Sequence, residues 1–166
     1  MLSKGLALLL FLTPLGLLGQ GSFPPAADQA GTTAIPAESG EISSWAWHCE
    51  LYRGYQDIAD KSKGRTTFGK ASYATGISDL DVVSLGDSGV AVLTFGGWIQ
   101  NKPGYDFAVF ENSFRWDFIE LAFVEVSSDG VHFVRFDGVS LSPSQQQRAF
   151  ADTLHPTNIH NLAGKY

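Results

Sequence analysis

Between Gly104 and Phe136 the chain reads GYDFAVFENSFRWDFIELAFVEVSSDGVHFVRF: three short runs of alternating apolar residues, separated by turn-forming ones. Successive side chains of an extended chain point to opposite sides, so alternation with a period of two marks strands with one buried face rather than helices. The pattern predicts strands over 106–111, 118–127 and 131–136, the last two joined by a tight Ser128-Asp129-Gly130 turn. Acidic residues sit within or beside these runs. A carboxylate in a sheet is costly unless it is paired, exposed or metal-bound. Glu111 is the sharpest case, because the other residues on its strand face are Phe107 and Val109.

The rest of the chain carries the same signals. Ile42 to Leu51 predicts a first strand, with Trp45, Trp47, Cys49 and Leu51 as its inward side chains. Arg53 to Gly76 has poor periodicity and four glycines, and is expected to be a long ordered loop of the kind that often carries function. Asp81 to Leu85 is a short strand and Gly86-Asp87-Ser88-Gly89 a turn. Val90 to Phe95 is apolar on both faces, as in a covered central strand. Trp98-Ile99 extends it briefly before a turn over Asn101 to Gly104. Ser142-Pro143 opens a helical turn reaching Phe150. Many short strands at regular spacing predict an all-β sandwich. The run of strands ends at Gly164-Lys165-Tyr166 before such a sandwich would close, so a chain truncated at its C-terminus is expected.

The first 21 residues have the form of a cleavable signal peptide. Lys4 precedes an apolar run from Leu6 to Leu18 with eight leucines, and Gly19 and Gly21 supply small residues at the cut. That run is shorter than the roughly 20 residues a membrane-spanning helix needs, so no transmembrane span is expected after cleavage. Residues 22–40, rich in Pro, Ala, Gly, Ser and Thr, read as a flexible linker, and the domain itself as 41–166. Export would permit disulfides, yet Cys49 is the only cysteine and reads as a small buried side chain. The net charge of −6 and the absence of a basic run argue against a nucleic-acid partner.

Four groups of residues bear on chemistry. Asp79, Asp81 and Glu111 are candidate calcium ligands, since calcium takes six to eight oxygens from carboxylates, carbonyls and water, although aspartates in turns also bond their own backbone. His48, His132, His155 and His160 lack the cysteine partners or HExxH helix of a zinc site. No GxSxG elbow exists, and Gly64 to Lys70 satisfies GxxxxGK, but Ala71 stands where magnesium binding needs Ser or Thr. No catalytic residue is therefore assigned. Exposed aromatic side chains can stack on sugar rings. Trp116, between Arg115 and Asp117, and Tyr105 are the candidate ligand platform with Glu111 and Asn112, whereas Trp45, Trp47 and Trp98 are expected to fill the core.

Asp106 to Asn112 (DFAVFEN), Phe123 to Gly130 (FVEVSSDG) and Pro156 to Lys165 (PTNIHNLAGK) together resemble a family of exported bacterial cell-surface proteins. The resemblance covers about Tyr52 to Tyr166 and implies export more than any activity. Val124 to Phe133 is also similar to the structural hairpin of discoidin-like, galactose-binding-like jelly rolls. The expected fold is accordingly a β-sandwich of jelly-roll type. The expected function is a secreted or cell-surface, non-catalytic module that binds a glycan or another surface ligand, with calcium as a candidate cofactor. Alternatives are an exported hydrolase using carboxylates near Glu111 and Glu125, and a structural envelope component.

Overall fold

A computed structural model describes residues 23–79, 81–113, 115–143 and 153–164. The signal-peptide segment and nearly all of the helical turn expected over Ser142 to Phe150 lie outside them. The described residues form antiparallel strand pairs joined by turns and short 3-10 segments, with no α-helix among them. This is a mainly β architecture built from four two-stranded sheets.

The longest pair joins β1 (Ala46–Tyr52) to β2 (Val90–Phe95), with Cys49 opposite Leu93, Leu51 opposite Ala91 and Tyr52 opposite Val90. A register shift between Ala46 and His48 makes a β-bulge at Trp47. One extra residue reverses which side chains face inward. Ala46 takes the buried position with Cys49, and Trp47, expected in the core, is 65% exposed beside the His48 ring. The prediction for β2 has the right limits but the wrong environment. Among the described residues its one ladder is to β1, and Val90 and Leu93 stay exposed, so it is not a covered central strand.

The loop between β1 and β2 is ordered by its own backbone. Tyr55 and Asp87 exchange hydrogen bonds at 3.0 and 2.8 Å, the Gly54 N–H donates to Leu85 at 2.7 Å, and the Thr66 N–H donates to Gly54 at 3.1 Å. The Arg53 guanidinium spans the loop, donating to the carbonyls of Phe68 and Gly69 at 2.5 Å and Ser84 at 3.0 Å. A planar fork of donors suits this cross-bracing of carbonyls. Gly54 is buried against the Asp87–Gly89 backbone, where a Cβ would stand 2.2 Å from the Asp87 carbonyl oxygen. The segment 81–85 feeds this loop and is not a strand.

The remaining strands are two residues each. β3 (Ala122–Phe123) pairs with β8 (Leu162–Ala163), β4 (Glu125–Val126) with β5 (Val134–Arg135), and β6 (Val139–Ser140) with β7 (Ile159–His160). Residues 118–127 thus contribute two short strands rather than one long one. The β4–β5 connection is a loop over 127–133 rather than a tight turn. Among the described residues, 106–111 pair with no strand; the Phe107 ring meets Phe136 at 5.8 Å and Phe110 meets Trp45 at 5.4 Å. The core lies around the PTNIH stretch: Ile159 and Pro156 are fully buried, and Thr157, Phe118, Ile119 and Ala26 are nearly so. Residues 23–40 reach this region, where the Phe23 N–H donates to Thr157 at 3.0 Å and the Phe23 ring stacks on His160 at 4.7 Å.

Candidate functional site

Ser113 contacts both Glu111, whose carboxylate accepts from its N–H, and the backbone on either side of Trp116. The Ser113 hydroxyl bridges the carbonyls of Arg115, at 2.5 Å, and Phe118, and accepts from the Arg115 N–H at 3.3 Å. Arg115 Nε donates to Asp117 at 2.8 Å. The Asp117 carbonyl accepts from the Leu154 N–H at 3.0 Å, which brings the buried PTNIH stretch alongside. Trp116 is 48% exposed and meets the His155 ring edge-on at 5.7 Å; His155 Nδ1 lies 2.8 Å from Thr157 Oγ1. An aromatic face is therefore held in place beside an imidazole while still open to solvent.

Glu111 is half-buried. Its Oε2 is shielded from solvent and has no hydrogen-bond partner among the described residues. Burial lifts its carboxyl from 4.5 to about 7; a hydrogen bond from the Ser113 N–H opposes the rise and the nearby Glu120 charge adds to it. Glu111 can therefore hold a proton near neutrality and donate or accept a hydrogen bond. Asn112 is exposed next to it. Glu125, the other carboxylate of the hydrolase alternative, is engaged by Arg135 Nε at 2.7 Å across β4 and β5. Glu120 is instead the acid whose charge reaches Glu111, and its signal was faint: one polar residue between Ile119 and Leu121. Sequence reasoning also missed His155 as the companion of Trp116.

The other candidates are accounted for locally. Tyr105 is 64% exposed, with its hydroxyl 3.1 Å from Thr33 Oγ1. The Asp79 carboxylate accepts from the Asp81 N–H at 2.7 Å, an aspartate turn. Among the described residues no three His, Cys, Asp or Glu side chains gather as a metal site, so Asp79, Asp81 and Glu111 are not brought together as one. Cys49 is buried, and that burial, with the Glu50 charge second, pushes its thiol up and away from reactivity. Trp98, expected in the core, is 82% exposed. Lys70, the lysine of the GxxxxGK run, lies 4.9 Å from the Tyr73 ring centre. Among the described residues no helix is long and apolar enough to cross a membrane. Comparison with protein-family models, curated proteins and solved structures finds no significant match to this chain.

Proposed function

We propose that this chain is an exported, non-catalytic binding module on a jelly-roll-type β-sandwich, and that it takes a glycan or another surface ligand at the turn carrying Glu111, Asn112 and Trp116. One observation carries the reading. Trp116 presents an open aromatic face edge-on to His155, in the same short stretch of chain as Glu111, a half-buried carboxylate whose Oε2 has no hydrogen-bond partner among the described residues. Sugars are bound by such combinations, a ring stacked on an aromatic face and hydroxyls bonded to a few placed polar groups. Tyr105 is a further exposed aromatic ring that could take part, while the leader segment and the motifs that resemble surface proteins support export. Calcium would act through carbonyls and water together with single carboxylates, since no carboxylate cluster is gathered for it among the described residues.

A glycan array followed by calorimetry, with and without calcium, tests the reading. Binding that is lost in Trp116→Ala supports it; no binding under either condition removes it. The second reading, a carboxylate-dependent hydrolase, is favoured by Glu111 alone, whose carboxyl near 7 suits a general acid. Release of free sugar by the native chain and not by a folded Glu111→Gln variant would establish that reading in place of the first.

A further inference from the structure

Charge is unevenly distributed along this acidic chain. Five of its eleven cations, Arg53, Lys61, Lys63, Arg65 and Lys70, fall between 53 and 70 with only Asp57 and Asp60 among them. That stretch carries a net +3, which leaves −9 on the remainder of a chain whose total is −6. Two of the cations are absorbed internally: Arg53 braces the loop carbonyls, and Lys63 lies 2.6 Å from the Asp57 carboxylate. Lys61 and Arg65 are exposed and converge on Tyr55, their charged ends 5.1 and 4.6 Å from its ring centre. Lys70 is exposed against Tyr73.

The base under these cations is fixed. Tyr55 is bonded to Asp87 through both its N–H and its carbonyl, the Gln56 N–H donates to Gly64 at 3.0 Å, and Arg65 Nη1 donates to the Arg53 carbonyl. Cations held on an ordered loop lose less freedom on binding an anion than cations on a loose one. A guanidinium presents five N–H donors, and a single engaged nitrogen leaves others for a carboxylate.

We infer that the loop from Arg53 to Lys70 is a docking surface for a carboxylated polysaccharide, with Lys61 and Arg65, which share the Tyr55 ring, contacting one stretch of its uronate groups and Lys70 another. The partner is a uronate chain rather than a nucleic-acid duplex, because one charge per sugar is far sparser than a duplex's one per about 1.7 Å, so the negative remainder of the protein repels it less where it runs past the loop. This surface uses none of the residues at the Glu111–Trp116 turn, so it stands or falls independently of the proposed function.

The test is calorimetry of the full chain with oligogalacturonate at about 50 and about 300 mM salt, where screening separates electrostatic from neutral binding. The expected result is binding at low salt that weakens about tenfold at high salt and at least about tenfold in a Lys61→Glu/Lys70→Glu variant with an unchanged melting curve. Lys102→Glu, outside the loop, is expected to bind as the native chain does. Three results would overturn the inference: no binding to oligogalacturonate at low salt, equal binding by the double variant, or stronger binding to a sulfated oligosaccharide or single-stranded DNA.

Discussion

Oδ2 of Asp129 lies 2.7 Å from Nδ1 of His132, while Oδ1 of the same carboxylate accepts from the N–H groups of Val131 and His132 at 2.8 Å each. Ser127 Oγ adds a further contact at 2.9 Å. With Ser127 Oγ accepting from the Asp129 and Gly130 N–H groups, these two side chains hold the β4–β5 loop. These contacts, the His132 ring first, hold the Asp129 carboxyl well below its ordinary value of 3.8. The folded value lies below the unfolded one, so the contribution to the loop is complete above about pH 3.8 and is lost as pH falls through the folded value. In Asp129→Ala, amide exchange at Val131 and His132 at neutral pH is expected to rise about tenfold or more, read by NMR. Unchanged exchange would mean the loop is held by its backbone alone.

Glu111 has the opposite sign. Its folded value, about 7, lies above its ordinary 4.5, so folding favours the protonated form. Stability is fully present below about pH 4.5, declines as pH rises, and levels off above about 7. Glu111→Gln removes the titration while keeping the shape. After discounting for partial exposure, the variant should be more stable than the native chain by about 1–2 kcal/mol at pH 8 and similar to it at pH 4. Urea unfolding at both pH values checks this; a variant that is less stable at pH 8 would show that the charged carboxylate is well solvated.

The loop brace makes a steric prediction. A Cβ at Gly54 would stand 2.2 Å from the Asp87 carbonyl oxygen and 2.5 Å from the Gly89 nitrogen, both backbone atoms that cannot swing aside. Gly54→Ala is expected to cost about 1–3 kcal/mol, seen as a lower urea midpoint at unchanged slope. Gly97→Ala, at a position with open space around it, is the matched control and should cost less.

Legibility followed the range over which each signal acts. The limits of Val90–Phe95 were readable because a short β-branched and apolar run between turn-forming glycines is a local signal. The bulge at Trp47 was not, since a register shift belongs to the pairing of two strands. Residues 106–111 show the alternation of a strand, but a ladder needs a partner, and the pattern of one segment does not reveal whether a partner is aligned with it. β6, β7 and β8 are two residues each, too short to show any period, and the PTNIH stretch reads as polar although Pro156 and Ile159 are its buried anchors. At the site, Glu111 announced itself as a carboxylate on an apolar face. His155 did not, because it meets Trp116 from a distant part of the chain through the Asp117–Leu154 backbone bond.

The central claim is that the Glu111–Trp116 turn receives the ligand. Its most direct test is an NMR titration of the native chain with the best neutral oligosaccharide from a glycan array, following the Trp116 indole N–H and the His155 ring protons. Both are expected to move in proportion to ligand bound, and Trp116→Ala to abolish binding with its melting curve intact. Binding that leaves both signals in place would contradict the claim.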